Sequence, residues 1–197
     1  MSFMLGLTGS IGMGKSTTAQ MFAEEGCAIW DADAAVHRAY GIGGAAVAPV
    51  GEVFPEAIID ETVSREILKQ IIGRDPEALK RIEAIVHPLL AADRGAFIND
   101  PQSDILVFDI PLLFETGGNT AMDAVACVTV PPETQRERVM ARGTMTAEQF
   151  EAIVAKQMPA EEKCARADYV IDTSTMEGAR QQVKRIVAEI RERLEDA

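Results

Sequence analysis

The chain has 197 residues, 47% hydrophobic and 25% charged, which suffices for one domain with a core that needs neither disulfides nor a structural metal. Nineteen Lys and Arg against 31 Asp and Glu leave a formal net charge of −12, which excludes a surface that coats nucleic acid or an anionic membrane as a whole. Cys27, Cys127 and Cys164 are odd in number and contain no CxxC pair, so a zinc site and a disulfide framework are disfavoured and small buried thiols are expected. Phe3 to Thr8 is a short apolar run that ends in a Gly-rich turn, the pattern of a buried strand. A helix is predicted from Lys15 to about Glu25, stopped by Gly26. Cys27 to Asp31 is a second strand and Asp33 to Tyr40 a second helix. Residues 41–62 are punctuated by Gly and Pro and give no clear element.

Ser64 to Ile72 is predicted helical. Asp75-Pro76-Glu77 then starts a new helix, with Asp as cap, Pro in the first turn and acid at the positive end of the dipole. It extends to about Ile98, and Pro88 is expected to kink or divide it. Asp104 to Ile110 and Asp123 to Val130 are strands. A helix follows Pro131-Pro132 to about Arg142. Thr146 to Gln149 is a capping box opening a helix to about Met158. Tyr169 to Ile171 is a last strand. Ser174 with Glu177 forms a second box before a helix ending near Leu194. Strands alternating with helices predict an α/β fold: a parallel sheet of about five strands covered by helices on both faces. Residues 1–197 are read as one domain. Its core lies at about 1–40, 104–142 and 167–197, a helical substrate-binding insertion at about 60–100, and a small lid at about 143–160. The N-terminus lacks a secretory pattern, and no apolar run reaches the roughly 20 residues of a membrane span, so a cytoplasmic protein is expected, without a membrane or nucleic-acid partner.

The strongest chemical signal is Gly9-Ser10-Ile11-Gly12-Met13-Gly14-Lys15-Ser16, followed by Thr17. It satisfies GxxxxGK[ST] and lies between the first strand and the first helix, where such a loop wraps a phosphate. Gly9, Gly12 and Gly14 let successive N–H groups, Met13 included, approach the phosphates. The helix N-terminus adds partial positive charge. Lys15 reaches the β- and γ-phosphates, the Ser16 hydroxyl ligates Mg²⁺, and Thr17 adds a contact near the phosphates. A dinucleotide fingerprint fails, because Thr17 stands where the third glycine is needed. The loop means nucleoside triphosphate binding, in either a small-molecule kinase or a nucleotide-dependent switch. Neither DxxG nor NKxD occurs, which favours ATP and a kinase.

A kinase needs a carboxylate to accept the proton of the attacking hydroxyl. Asp31 and Asp33 follow the second strand, and either can serve there or cap the next helix. Here the sequence resembles the dephospho-coenzyme A kinase family. The likeness runs from Gly6-Leu7-Thr8-Gly9 through the phosphate loop to Ile29-Trp30-Asp31-Ala32-Asp33. It continues in Val86-His87-Pro88-Leu89, in Asp109-Ile110-Pro111-Leu112-Leu113-Phe114-Glu115, in Arg142 with Gln157-Met158, and in Ala167-Asp168-Tyr169-Val170-Ile171-Asp172. The resemblance implies a P-loop kinase core with a helical substrate domain and a lid. It also implies transfer of the γ-phosphoryl of ATP, with Mg²⁺, to the ribose 3′-hydroxyl of dephospho-coenzyme A, with Asp33 as the base. Ser10 and Met13 depart from residues common in the family without touching the motif. Thr173 and Ser174 replace a frequent Asn, which leaves the adenine contact open. Another small-alcohol kinase, such as shikimate kinase, is the alternative enzyme.

Further residues carry two readings each. Asp31, His87 and Leu113 are placed on the acceptor side, against helix capping, a cap before Pro88, and core packing. His37 is read as a helix-face residue. Asp109 ends a strand, either as a second support for Mg²⁺ or as a turn residue. No Lys or Arg lies between Arg94 and Arg136. Of Arg136, Arg138 and Arg142, which do not all share one helix face, Arg142 is expected to reach the transferring phosphoryl and the other two to face solvent. The expected partners are small molecules only, with the chain a monomer or weak homo-oligomer.

Overall fold

The computed structural model describes residues 2–196, arranged as two compact units. One comprises the chain up to Trp30 together with everything from Pro101; the other is Asp31–Asp100. The second unit therefore begins at Asp31, some thirty residues earlier than the expected insertion, and takes both aspartates of Asp31-Ala32-Asp33 with it.

The first unit contains β1 (Phe3–Thr8), α1 (Lys15–Glu24) and the strand β2 (Ala28–Asp31), whose last residue opens the second unit. The second unit holds α2 (Ala32–Tyr40), α3 (Val47–Val53), a short hairpin of β3 (Ile58–Ile59) and β4 (Thr62–Val63), then α4 (Arg65–Arg74) and α5 (Glu77–Asn99). The chain returns to the first unit with β5 (Ile105–Asp109), β6 (Ala124–Thr129), α6 (Pro132–Ala141), α7 (Ala147–Val154), α8 (Ala160–Arg166), β7 (Tyr169–Asp172) and α9 (Met176–Glu195). The sheet order is β2-β5-β1-β6-β7. β1 pairs in parallel with β5 and β6, and β6 with β7, so non-consecutive strands are joined by helical crossovers.

β1, β5 and β6 are nearly continuous apolar runs because both faces of a parallel sheet are covered. Leu5, Leu7, Ile105, Val107, Ala126 and Val128 are buried against Phe22 of α1 and one stripe of α9. That stripe is Ala179, Val183, Ile186, Val187 and Ile190, the spacing of one helix face. Cys27 and Cys127 are buried and Cys164 half-buried, all three as free thiols. Burial pushes the Cys27 and Cys127 thiols up to about 12, so neither is a thiolate near neutral pH. The second unit has its own core, including Val50, Phe54, Leu68, Ile82 and Val86.

Several expectations need correction. Residues 41–62 form α3 and the hairpin, with Asp60 and Glu61 at positive φ in the turn, as a tight two-residue loop requires. Helix α5 runs through Pro88 without dividing. Ala84 and Pro88 both lie on the exposed face, where solvent can serve the carbonyl that proline leaves without a donor. The helix from Thr146 ends at Val154, and α8, begun after Pro159 with Glu161 and Glu162 in its first turn, was not anticipated. The cap of α9 is Thr175, whose hydroxyl accepts from Gly178 N, and not Ser174. Ser174 N instead donates to Asp172, which holds that carboxyl below its usual range.

Candidate functional site

Between β1 and α1 the loop reverses tightly. Gly12 and Gly14 have φ of +79° and +87°, a region open to glycine and costly for other residues. Packing makes the same demand. A Cβ on Gly12 would lie 2.5 Å from Val139 Cγ2, and one on Gly14 would lie 2.9 Å from Thr173 Oγ1. Thr173 Oγ1 donates to Met13 O at 2.7 Å. The Met13 side chain is 3% exposed, so this residue can offer a ligand its backbone and little else. Ser16 and Thr17 are exposed on the first turn of α1, where backbone N–H groups and the helix dipole favour an anion.

The Lys15 ammonium forms an ion pair with Asp109. Asp109 ends β5 opposite Leu7 of β1, and its side chain is 3% exposed. Both residues thus sit where two adjacent parallel strands end, the edge at which α/β sheets bind ligands. On the other side of the loop is a cavity of about 210 Å³ lined by Gly12, Thr17, Arg138, Arg142, Thr173 and Met176, among others. It is smaller than the roughly 300–1,000 Å³ of whole-ligand pockets, a size for part of a nucleotide.

Arg138 lies across this cavity. It donates to Thr173 O at 2.7 Å and to Thr173 Oγ1 at 3.1 Å. The expectation that it is a solvated helix charge is therefore wrong. Arg138 and Arg142 are four residues apart and share a face of α6, a pairing obscured when three arginines are weighed together. Arg136, by contrast, is exposed and bonded to Glu151 of α7 at 2.8 Å. Arg142 is the exposed C-cap of α6, followed by Gly143 at φ +63°.

The segment after β5 is fastened from two sides. Pro111 O accepts from Thr8 Oγ1 and from Lys163 Nζ, each at 3.1 Å. Lys163 is fully buried, and its ammonium lies 2.9 Å from Glu115 Oε1. That same oxygen accepts from Met158 N at 3.0 Å. Burial alone would raise the Glu115 carboxyl, but the bonds from Lys163 and Met158 outweigh it and hold the group below its ordinary value. Sequence reasoning missed Lys163, because the helix that carries it was missed. Leu113, expected on an acceptor wall, is fully buried with Phe114 and Val125, and Leu112 is the exposed leucine of that segment. A side chain in that core cannot touch a substrate.

Within the second unit, Asp31 Oδ1 accepts from Ala34 N at 2.9 Å and so caps α2. Asp33 is exposed in the first turn of the same helix. His37 is exposed in its last turn. His87 is exposed on α5, one residue before Pro88. Arg38 of α2 pairs with Asp93 of α5 at 2.8 Å.

Among the described residues no three His, Cys, Asp or Glu converge as a metal cage. Mg²⁺ does not require one, since it keeps several waters and binds through one or two protein oxygens plus phosphate oxygens. The hydroxyl of Ser16 and the carboxylate of Asp109 are oxygen donors of that kind.

A family model described as dephospho-CoA kinase matches residues 3–177. A dephospho-CoA kinase from Ruegeria pomeroyi is 70% identical over 191 residues, covering 97% of each chain. Among solved structures, one from Thermus thermophilus superposes with a TM-score of 0.84 at 32% identity, over 95% of this chain and 97% of that one. The dephospho-CoA kinase of Campylobacter jejuni superposes with a TM-score of 0.70 at 26% identity, over 96% and 98%.

Proposed function

The chain belongs to the dephospho-CoA kinase family, and from that premise we propose how its residues divide the work. The reaction is transfer of the γ-phosphoryl of ATP to the ribose 3′-hydroxyl of dephospho-coenzyme A, giving coenzyme A and ADP, the last step of coenzyme A biosynthesis. The observation that carries the allocation is the Lys15–Asp109 pair, set beside a glycine loop with an exposed Ser16 and the Arg138–Arg142 cavity.

Gly9, Gly12, Met13, Gly14 and Thr17 cradle the donor phosphates with backbone N–H groups. Lys15 exchanges Asp109 for the β- and γ-phosphates. Ser16 and Asp109 would hold Mg²⁺, which when bound supplies charge neutralisation at the phosphate oxygens. The adenine takes the cavity beside Arg138, Thr173 and Met176. Arg142 meets the charge that develops on the transferring group. Asp33, exposed in the first turn of α2, accepts the proton of the attacking hydroxyl, the role that the family resemblance assigns it, whereas Asp31 caps the helix through Oδ1. His87 is kept as an acceptor-side contact. Of the lid at 143–160, the part before Gln157 closes over the phosphates and excludes water during transfer, while Gln157 and Met158 stay bonded to the core.

No described helix is long and apolar enough to cross a membrane. We place the reaction in the cytoplasm, a reading that the free thiols support. We further propose that the chain acts as a monomer or weak homo-oligomer on small-molecule substrates.

The test is ADP release with Mg-ATP and a panel of acceptors. Turnover should require dephospho-coenzyme A and be weak with shikimate or AMP. Equal ADP release without any acceptor would reduce the protein to a plain NTPase.

A further inference from the structure

Two glutamines grip one residue of the phosphate loop from outside. Ile11 N donates to Gln157 Oε1 at 3.3 Å, and Gln135 Nε2 donates to Ile11 O at 2.7 Å. The N–H belongs to the Ser10–Ile11 peptide and the carbonyl to the Ile11–Gly12 peptide. The two side chains therefore hold the successive peptide planes that meet at Ile11. The next residue is Gly12, whose positive φ starts the turn that aims the following N–H groups inward. An unpinned peptide can rotate and present its carbonyl where its N–H should be, which repels a phosphate.

The holders come from different places. Gln135 is 6% exposed on α6, and its own carbonyl lies 3.1 Å from where a Gly12 Cβ would stand. Gln157 follows α7, in the segment that starts at Gly143. Its neighbour Met158 is fixed through its N–H to Glu115, which the fully buried Lys163 holds in turn. The end of the α7 segment is thus anchored, and Gln157 carries that anchorage into the loop.

We propose that Gln157 is a positioning residue: with Gln135 it holds the Ile11 peptides so that the loop keeps the shape that binds the phosphates of ATP. The proposal deepens the kinase reading and rests on it for the identity of the ligand.

The experiment compares the full-length protein with Gln157→Met, which keeps length but loses the acceptor, and Gln157→Glu, which keeps an acceptor oxygen. Losing one hydrogen bond that preorganises a site should weaken ATP binding, read by calorimetry without acceptor, by about threefold to tenfold in Gln157→Met. KM for ATP should rise by a similar factor, with kcat at saturation within about twofold of the parent, because the interaction serves ground and transition states alike. Hydrogen exchange without nucleotide should speed up over residues 10–14 in Gln157→Met and return to the parent rate in Gln157→Glu, with unchanged melting temperature in both. Unchanged exchange and ATP affinity in Gln157→Met would overturn the proposal. So would a loss of kcat at unchanged affinity, since Gln157 would then act on closure and not on the loop. Failure of the parent protein to bind ATP would sink the kinase reading instead, while loop exchange in the two variants would still decide the brace.

Discussion

At the scale of single residues, Lys15 and Asp109 form an ion pair beside the phosphate loop. Lys15→Ala removes the charge aimed at the β- and γ-phosphates, so ATP affinity and turnover should both fall. It also takes the ammonium from a carboxylate that is 3% exposed. Asp109 keeps further interactions, so the stability loss should be partial, on the order of 1–3 kcal/mol, read from urea unfolding. Lys15→Ala with an unchanged unfolding midpoint would show that Asp109 does not rely on the pair. Asp31 and Asp33 separate by partner: Asp31→Ala should cost about 0.5–2 kcal/mol as a lost helix cap. Asp33→Asn should leave stability and ATP binding intact and slow turnover by about 10²–10⁴-fold. Near-normal turnover in Asp33→Asn would move the base elsewhere.

At the scale of elements, α6 and α7 present a fixed end and a looser one. Gln157 and Met158 are bonded, whereas residues 142–144 are exposed around the positive φ of Gly143. Closure is therefore expected to pivot on the anchored end and bring Arg142 over the phosphates. Arg142→Ala should then lower turnover far more than ATP binding, by as much as the roughly 10³–10⁵ that an arginine can contribute to phosphoryl transfer. Arg142→Lys should recover only part, since a point charge lacks the planar fork. Exchange across 143–155 should slow when both substrates are bound. Normal turnover in Arg142→Ala with unchanged exchange would make this segment plain scaffold. Arg138 contrasts with it: Arg138→Ala should act chiefly on ATP affinity, because its partner Thr173 also holds Met13 O of the loop.

At the scale of the molecule, ion pairs that fasten the first unit are expected to set its acid limb. Asp104, at the start of β5, is bonded to Arg191 of α9 at 2.8 Å, and that bond holds its carboxyl below the ordinary value. Glu115 is lowered as well, burial being outweighed by Lys163 and Met158. A carboxyl lowered in the folded state binds fewer protons there than in the unfolded chain, so stability rises with pH through that range. The contribution is fully present above the unfolded values, 3.8 for Asp and 4.5 for Glu, and is lost as pH falls through the lower folded ones. Melting temperature should drop steeply below about pH 4. Arg191→Met and Glu115→Gln should each flatten that limb while lowering stability at neutral pH. An unchanged limb in both variants would remove these pairs as its cause.

Local patterns sufficed for much of this protein. The glycine loop, its strand and helix, the buried strands at Phe3–Thr8, Ile105–Asp109 and Ala124–Thr129, and the capping box at Thr146 all depend on neighbours a few residues away, which the sequence displays directly. That Lys15 and Ser16 open α1 and that Asp33 lies in the first turn of α2 was legible for the same reason. Other assignments depended on partners far along the chain. Lys163 reaches Pro111 and Glu115 about fifty residues before it, Thr173 reaches Met13 across 160, and Gln157 reaches Ile11 across 146. Whether Pro88 breaks its helix turns on which face of α5 stays exposed, whereas which leucine of Leu112-Leu113 faces the core and whether Arg138 is solvated turn on burial by other elements. No local pattern carries that information, because it arises only when β1, β5 and β6 pair and bring distant segments to one edge of the sheet.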